Sequence, residues 1–165
     1  MRVASIAVLI LLLTISFSLF FVYFKDGPQS DMSLPVIAGH GPVLDVANIK
    51  ARNKPYIISV FASWCETCLK EHEVWMRIAE ENAVDLYGID YIDIESKALE
   101  WLQTHGNPYL VVAADYTGKL AKKLKITGVP ETLIFNRHGN LLAHISGEIT
   151  MEMWNNRISR LVMLE

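Results

Sequence analysis

Cysteine and clustered basic charge are both scarce in this 165-residue sequence, which has only Cys65 and Cys68 and a formal net charge of −3. Two cysteines do not supply the four ligands of a structural zinc site, and no second pair completes one. Lysine and arginine stand singly apart from Lys122–Lys123, so the basic patch typical of nucleic-acid-binding proteins is missing. Histidine-rich and methionine-rich tracts of metal-handling modules are missing as well. We therefore expect no nucleic-acid partner, no metal and no bound cofactor.

Charge is also missing from one long stretch, since Val3 to Phe24 contains no Asp, Glu, Lys or Arg. A helix of that length, at about 1.5 Å per residue, crosses the roughly 30 Å hydrocarbon core of a bilayer. The run is longer than the usual apolar core of a signal peptide and lacks a small-x-small cleavage site, although a cleaved signal stays open as an alternative. We predict that residues 1–24 are a transmembrane anchor or uncleaved signal, with residues 3–24 in the lipid bilayer.

Basic residues on the two flanks of this run predict its orientation. Arg2 and the terminal amine lie on one side, whereas Lys25 on the other side is offset by Asp26. The positive-inside rule then leaves the N-terminus in the cytoplasm and the rest of the chain outside. We therefore predict a single-pass protein of the inner (cytoplasmic) membrane whose domain faces the periplasm.

The remaining residues, 25–165, have the length of one domain. Turn-forming residues at 27–31 and 39–42 predict a tether and an irregular leading segment up to about residue 53. Beyond it, the apolar periodicity predicts strands at 55–61, 84–92, 109–113, 131–136 and 141–146, and helices at 65–82, 95–105, 118–124 and 150–164. Strands that alternate with helices predict an α/β fold whose sheet is covered on both faces.

The two cysteines lie in the run Cys65-Glu66-Thr67-Cys68, where an apolar strand gives way to a helix. A disulfide across so short a loop removes little chain entropy, so a structural staple is a poor explanation. A helix N-terminus stabilises a thiolate through its unpaired N–H groups and its dipole, which favours thiol–disulfide exchange. Transient binding of Cu(I) by the two thiolates stays open as an alternative.

Two segments carry a resemblance to thioredoxin-like proteins: Phe61–Cys68 is similar to their active-site stretch, and Gly128–Thr132 is similar to their cis-proline loop. The wider set adds Glu71-His72 after the dithiol, Trp101-Leu102 leading to Gly106-Asn107-Pro108-Tyr109, and Gly147-Glu148-Ile149. With these, residues 33 to about 160 resemble the membrane-anchored cytochrome c biogenesis thiol:disulfide interchange proteins, the CcmG/DsbE family. The resemblance implies a thioredoxin-like fold with a central mixed sheet flanked by helices, an extra strand–helix insertion and an N-terminal transmembrane helix.

The same resemblance implies an activity, that of an extracytoplasmic thiol:disulfide oxidoreductase that reduces disulfides during cytochrome c maturation. Cys65 is then the nucleophile and Cys68 the resolving thiol. Val129 and Pro130 hold an extended substrate segment, and Trp64 flanks it. The implied partners are extracytoplasmic proteins with cysteine pairs, namely apocytochrome c or its thiol-handling partner, and a membrane electron donor. A less specific reductase, an oxidase or isomerase, and a copper- or haem-handling binding module stay open as alternatives.

Three acidic residues are expected to tune the dithiol. Glu131 and Glu71 match acidic positions near the family's active site, and Glu66 stands between the cysteines where the family commonly has proline. A carboxylate near a forming thiolate disfavours it by like-charge repulsion, so these acids make the pair a better electron donor. For Glu71, an ordinary solvated helix charge is the alternative.

Two further positions bear on the chemistry of the dithiol. His72 is expected to lie on the helix surface, paired with Glu71 or Glu73, and tuning of Cys68 by this histidine stays open as the alternative. Ser59, in the strand that leads to the dithiol, replaces the buried acid of ordinary thioredoxins. Proton transfer to and from Cys68 therefore needs another group or water.

Overall fold

The structure, a computed structural model, describes residues 33–41 and 43–163, and the predicted anchor at residues 1–24 lies outside them. Within the described ranges, no helix combines the length and the apolar character needed to cross a bilayer. The strands are β1 (Leu34–Gly39), β2 (Val43–Leu44), β3 (Tyr56–Phe61), β4 (Asp85–Tyr91), β5 (Val111–Asp115), β6 (Glu131–Phe135) and β7 (Leu141–Ser146). The helices are α1 (Val46–Ala51), α2 (Glu66–Glu80), α3 (Glu95–His105), α4 (Lys119–Lys123) and α5, which runs through Met151–Met153, a π-helical stretch Trp154–Ile158 and Ser159–Met163.

The strands of the described part form one mixed sheet in the order β2-β1-β5-β4-β3-β6-β7. Strands β3, β4 and β5 are parallel, whereas β1, β6 and β7 run antiparallel to their neighbours. Parallel strands inside a sheet are buried on both faces, which explains why β3 is apolar almost throughout and entirely buried. The predicted α/β fold with a central mixed sheet is confirmed. Strand β3 lies between β4 and β6 in the interior of the sheet. The dithiol that follows β3 therefore lies at the end of the sheet where the parallel strands β3, β4 and β5 terminate.

Both faces of the sheet carry large side chains. On one face, the ring of Phe61 stacks on Trp101 of α3 and on Tyr109, with centroid distances of 5.2 and 5.3 Å. On the other face, the ring of Tyr56 stacks on that of Phe135 at 4.8 Å. Alternate residues of a strand point to opposite faces, so β3 joins the two halves of the core.

The prediction of an irregular segment up to about residue 53 is wrong from Leu34 onward. Strand β1 pairs antiparallel with β5, with Val36 opposite Ala113. Helix α1 is capped by Asp45, whose side chain accepts a hydrogen bond from the Ala47 N–H at 3.0 Å. The sequence of β1 contains Pro35 and is too short for a clear alternation. This segment is a strand because it pairs with β5, which lies far along the chain, and local periodicity does not predict such a pairing.

The predicted boundaries differ most at β5, since the sequence predicts a strand at residues 109–113 and the strand lies at Val111–Asp115. The N–H of Tyr109 is taken by the side chain of Asn107 at 3.0 Å, a local turn that keeps Tyr109 out of the strand. The other predicted helices and strands agree with the structure to within a few residues at each end.

Candidate active site

The two cysteines open helix α2. Cys65 is the N-cap residue in an extended conformation, and the N–H of Cys68 donates to its Sγ at 3.1 Å. The pair is oxidised, with an Sγ–Sγ distance of 2.20 Å. Cys65 is 8 % exposed and Cys68 is 3 % exposed, so Cys65 is the more accessible sulfur. A helix N–H aimed at the Cys65 sulfur is the arrangement that stabilises a thiolate there.

The turn before the dithiol is fastened to the segment that follows β4. The Ser63 N–H donates to the Asp93 carboxylate at 2.5 Å, and the indole N–H of Trp64 donates to the carbonyl of Ile92 at 3.3 Å. Trp64 remains 59 % exposed. Sequence reasoning missed Ile92 and Asp93, because their contact with the turn depends on the pairing of β3 with β4 rather than on any local motif.

The predicted cis-proline loop lies beside the dithiol. The Val129–Pro130 peptide bond is cis, and the Pro130 carbonyl accepts a hydrogen bond from the Gly147 N–H at 2.9 Å. The loop leads directly into β6, and β6 pairs with β3, so the loop stands next to the end of β3 that carries the cysteines. Val129 is half-buried and Pro130 is buried.

Glu131 directly follows the cis-proline and holds the loop together. Its Oε1 accepts hydrogen bonds from the N–H and the hydroxyl of Thr127, both at 2.7 Å, and from the Gly128 N–H at 3.0 Å. Its Oε2 lies 2.5 Å from Nε2 of His144 on β7. Burial raises the pKa of Glu131, but these hydrogen bonds outweigh it and hold the pKa below its ordinary value. The carboxylate is therefore ionised at neutral pH.

Glu71 lies on the buried side of α2 and is 1 % exposed, so the alternative of a solvated helix charge is wrong. Its Oε1 accepts hydrogen bonds from the Trp75 indole N–H at 2.5 Å and the Thr132 hydroxyl at 3.3 Å, and its Oε2 accepts one from the Ile149 N–H at 3.2 Å. Burial raises the pKa of Glu71 to about 7, although the three donors oppose this rise. A buried group that titrates near neutrality thus lies one helical turn after Cys68.

The expectation that His72 lies on the helix surface is wrong. His72 is 2 % exposed, and its ring lies edge-on to Trp101 at a centroid distance of 4.3 Å. Its Nε2 is 3.0 Å from the carbonyl of Gly106, which only accepts, so Nε2 carries the proton. Burial lowers the pKa of His72 and keeps the ring neutral. The residue is buried because α3 packs against this face of α2.

A buried acid is present on β4 rather than on β3. Ser59 on β3 is buried, and its Oγ lies 3.3 Å from the hydroxyl of Tyr109, which donates to it. Asp90 is 0 % exposed, and neither of its oxygens has a hydrogen-bond partner among the described residues. Burial raises the pKa of Asp90 to about 8, and the negative charges of Asp93 and Glu95 add to the rise. An acid inside an apolar strand was the sequence signal for this group.

Glu66, the third predicted tuning residue, is exposed in the first turn of α2. The structure therefore places Trp64 and Val129 on opposite sides of Cys65, at the end of the sheet where β3 terminates. Trp64 lies on the β4 side and Val129 lies on the β6 side. Within residues 33–41 and 43–163, no group of three or more His, Cys, Asp or Glu side chains is arranged to hold a metal ion.

Sequence comparisons identify related proteins. Residues 26–156 match the Redoxin family. The thiol:disulfide interchange protein DsbE of Pseudomonas aeruginosa is 32% identical over 134 residues, which cover 81% of this chain and 73% of that protein. The DsbE of Xylella fastidiosa is 32% identical over 79% of this chain and 66% of its own length, and that of Pasteurella multocida is 34% identical over 65% and 59%. The chain thus spans under two thirds of the length of these last two relatives.

Structural comparisons show the same fold. MTB dsbF matches with a TM-score of 0.68 and 21% identity, covering 82% of this chain and 96% of that one. A thioredoxin-like protein from Aeropyrum pernix matches with a TM-score of 0.64 and 17% identity, covering 89% and 97%. The fold is therefore thioredoxin-like, and the chain belongs to the redoxin family and, within it, to the DsbE thiol:disulfide interchange proteins.

Proposed function

We propose that this protein is an extracytoplasmic thiol:disulfide oxidoreductase that reduces disulfides during cytochrome c maturation through Cys65 and Cys68. The observation that carries the proposal is a dithiol at the N-terminus of α2, beside a cis-proline loop, in a chain of the DsbE family. The names of the relatives describe thiol:disulfide interchange, and this arrangement is suited to that exchange.

In the first step, the Cys65 thiolate attacks one sulfur of a partner disulfide. The partner's S–S bond breaks, the other partner sulfur leaves as a thiolate and takes up a proton, and Cys65 becomes joined to the partner in a mixed disulfide. The helix N-terminus at Cys65 supports this role because its N–H groups favour the anionic sulfur.

In the second step, the Cys68 thiol loses its proton and attacks the Cys65 sulfur. The mixed disulfide breaks, the partner leaves as a thiolate, and two electrons have moved from the cysteine pair to the partner. Glu71, with a pKa of about 7 and a place one turn after Cys68, is the group proposed to take up the Cys68 proton directly or through a water molecule. Glu71 thereby replaces the buried acid of ordinary thioredoxins, whose position on β3 is occupied by Ser59 in this chain.

The surrounding residues are proposed to hold the partner and to tune the dithiol. Val129 and Pro130 present the loop to an extended partner segment, and Trp64 flanks that segment from the other side. The ionised Glu131 and the exposed Glu66 add negative charge near the cysteines, which disfavours the thiolates and makes the pair a better reductant.

The cellular setting is part of the proposal. Residues 3–24 are proposed to cross the inner membrane, with residues 25–165 as a periplasmic thioredoxin-like domain on a tether and one strand–helix unit as an insertion in the thioredoxin pattern. The proposed partners are apocytochrome c, or a protein that handles its cysteines, and a membrane dithiol donor that returns the protein to the reduced state. The uncharged length of residues 3–24 supports the anchor.

The division of labour between the cysteines is tested by trapping. With Cys68→Ser the second step is blocked, so we expect mixed disulfides with partners to accumulate, as seen on non-reducing gels. Cys65→Ser, the matched control, should accumulate none. Inverted results would exchange the two roles, and a reduction potential near −120 mV rather than near roughly −270 mV would reverse the proposed electron flow.

A further inference from the structure

His144 is a polar residue of strand β7 that has no part in the proposed mechanism. It lies opposite Leu133 of β6, and Leu133 lies opposite Ile58, so His144 stands level with the middle of β3. Phe61, the last residue of β3, is roughly 10 Å further along the strand, and two strand spacings add roughly 10 Å across the sheet. His144 is therefore too far from the reacting sulfurs to touch them.

One contact connects His144 to the cis-proline loop. Its Nε2 lies 2.5 Å from Oε2 of Glu131, and a carboxylate oxygen accepts, so Nε2 is the donor. Glu131 lies opposite Ser146, which makes it the diagonal neighbour of His144 on the same face of the sheet. Diagonal neighbours stand about 7–8 Å apart, a distance that two long side chains bridge. The register of β7 against β6 thus brings the imidazole to the carboxylate.

The two oxygens of the Glu131 carboxylate serve different parts of the structure. Oε1 accepts the N–H and the hydroxyl of Thr127 and the N–H of Gly128, whereas Oε2 faces His144. Among the described residues, no other group donates to Oε2. Glu131 is buried, and a buried oxygen without a donor is costly. Without His144, the planar carboxylate therefore turns to share the loop's donors between its two oxygens, and Thr127 and Gly128 shift with it.

The loop that Glu131 holds is the loop proposed to meet the partner. Within residues 33–41 and 43–163, neither the N–H nor the carbonyl of Val129 makes a hydrogen bond, so both are available to an extended partner segment. The carbonyl of the next residue, Pro130, accepts the Gly147 N–H at 2.9 Å. The C-terminal part of the hairpin therefore holds the loop at two points, once through the backbone at Gly147 and once through the side chain of His144.

We propose that His144 is a positioning residue for the cis-proline loop, and that its hydrogen bond to Glu131 holds Val129 where a partner segment pairs with it. The inference rests on the proposed function, because the position of the loop matters only while a partner segment lies along it. The donated hydrogen bond carries this effect, so another side chain with an N–H at the same place serves equally. His144 acts on recognition of the partner and leaves the sulfur chemistry unchanged.

Two neutral amides that differ by one methylene give a matched pair of variants. In His144→Gln the amide nitrogen reaches the place of Nε2, whereas in His144→Asn it reaches only the place of Nδ1 and falls short of Glu131. The reduced 165-residue chain is mixed either with a short disulfide-bonded peptide containing Cys-Ala-Ala-Cys or with hydroxyethyl disulfide, which is too small to lie along the loop. Rapid quenching and chromatography give both rates, and their ratio cancels any general effect on the dithiol.

We expect His144→Asn to lower the ratio of the peptide rate to the hydroxyethyl disulfide rate by about tenfold, a size typical of one lost hydrogen bond to a charged group. His144→Gln should keep the ratio within about twofold of the wild type. His138→Asn is the control, because His138 is exposed in the turn between β6 and β7, and it should leave the ratio unchanged. Thermal midpoints show that each variant is folded, and His144→Ser, which is equally short, replaces His144→Asn if the latter does not fold.

A double variant tests whether His144 acts through Glu131. In a Glu131→Gln background the carboxylate that His144 serves is gone, so His144→Asn should lower the ratio by less than about twofold. A full tenfold loss in that background overturns the inference.

An unchanged ratio in His144→Asn, or equal losses in His144→Asn and His144→Gln, also overturns the inference while leaving the proposed function in place. If the unaltered chain reduces neither the peptide nor hydroxyethyl disulfide, the proposed function itself is overturned.

Discussion

The buried face of α2 and the cis-proline loop each hold one of the carboxyl groups expected to tune the dithiol. Glu71 and Glu131 are almost equally buried, at 1 % and 2 % exposure, yet burial raises the pKa of Glu71 to about 7 while the pKa of Glu131 stays below its ordinary value. Glu71 receives three hydrogen bonds. Glu131 receives three from the loop and also faces His144.

Asp90 gives the limiting case of the same comparison. It is 0 % exposed, has no hydrogen-bond partner among the described residues, and burial raises its pKa to about 8. Solvent exposure alone therefore does not decide whether these carboxyl groups are charged: burial is the largest cause of the shift at Glu71 and Asp90, the neighbouring acids add to it at Asp90, and only at Glu131 do the hydrogen bonds outweigh it. Glu71 on the buried face of α2 holds a proton that exchanges near neutral pH, and Glu131 in the cis-proline loop holds a fixed negative charge.

The largest expected effect comes from Asp90→Asn. The pKa of Asp90 in the folded protein, about 8, lies above its ordinary 3.8, so the folded protein keeps a proton that the unfolded chain releases in this window. Stability therefore falls as pH rises from about 4 to 8, and the asparagine variant escapes this fall. We expect it to gain up to the order of 5 kcal/mol on the wild type by about pH 9, and little near about pH 4.

Urea unfolding of both proteins across this range measures the difference. Glu100→Gln, at an exposed acid, serves as the control and should give a curve nearly parallel to that of the wild type. Parallel curves for Asp90→Asn as well would mean that Asp90 is already ionised in the folded protein across this range.

Glu71→Gln is expected to change the pH dependence of the free energy of unfolding in the same direction as Asp90→Asn, but by less. The pKa of Glu71 is raised from 4.5 to about 7, so the wild type loses stability between these pH values while the variant does not. The relative change should be on the order of 3 kcal/mol in favour of the variant. A constant loss of about 1–3 kcal/mol is superimposed, because the glutamine amide turns a donor toward one of the three donors.

The same variant should resolve mixed disulfides more slowly, because Cys68 loses its proton acceptor. Stopped-flow oxidation of the reduced variant, compared with the wild type over the same pH range, measures this. If the oxidation rate of Glu71→Gln still depends on a group with a pKa near 7, then a group other than Glu71 takes up the proton.

Glu131→Gln should reverse the sign of the pH effect. Because the pKa of Glu131 is lowered in the folded protein, its stabilisation is present above the ordinary pKa of 4.5 and is lost as pH falls through the lower folded value. The variant should be less stable than the wild type at neutral pH by about 1–3 kcal/mol, and the gap should narrow in acid. A gap that widens in acid would contradict the hydrogen-bonded, ionised state of Glu131.

The smallest expected effect is on the reduction potential. Removing the Glu131 charge relieves repulsion of the thiolates, so the Cys65 pKa should fall and the potential should become less negative by about 30 mV per 1.4 kcal/mol of dithiol stabilisation. A glutathione equilibrium and a titration of thiolate absorbance measure both quantities. An unchanged Cys65 pKa and reduction potential would mean that the Glu131 charge interacts with the loop and His144 and does not affect the sulfurs.

The sequence predicts the parts of the site that depend on neighbours along the chain. A buried strand followed by the dithiol and an amphipathic helix predicted β3, Cys65 and α2, and the motif around Pro130 predicted the cis peptide bond. The strand, the position of the dithiol and the helix follow from local periodicity, whereas the cis peptide bond was implied by the resemblance to thioredoxin-like proteins.

The remaining parts depend on which elements meet, and local sequence does not specify that. The burial of His72 requires α3 to cover α2, and the contact of Asp93 with Ser63 requires β4 to lie beside β3. The difference between Glu71 and Glu131 also depends on donors from other elements, including Ile149 and His144. Charge state was therefore harder to predict than position.

Strand β1 is made long before the strand that it pairs with. Val36 pairs with Ala113, so β1 has no neighbour on this side until the chain has been made from residue 36 to residue 113. At about 5–20 residues per second of synthesis, that interval lasts on the order of 4–15 s. During those seconds the apolar side chains of Leu34 and Ile37 are open to other nascent chains, and β6 and β7 on the opposite side of the sheet are made only afterwards.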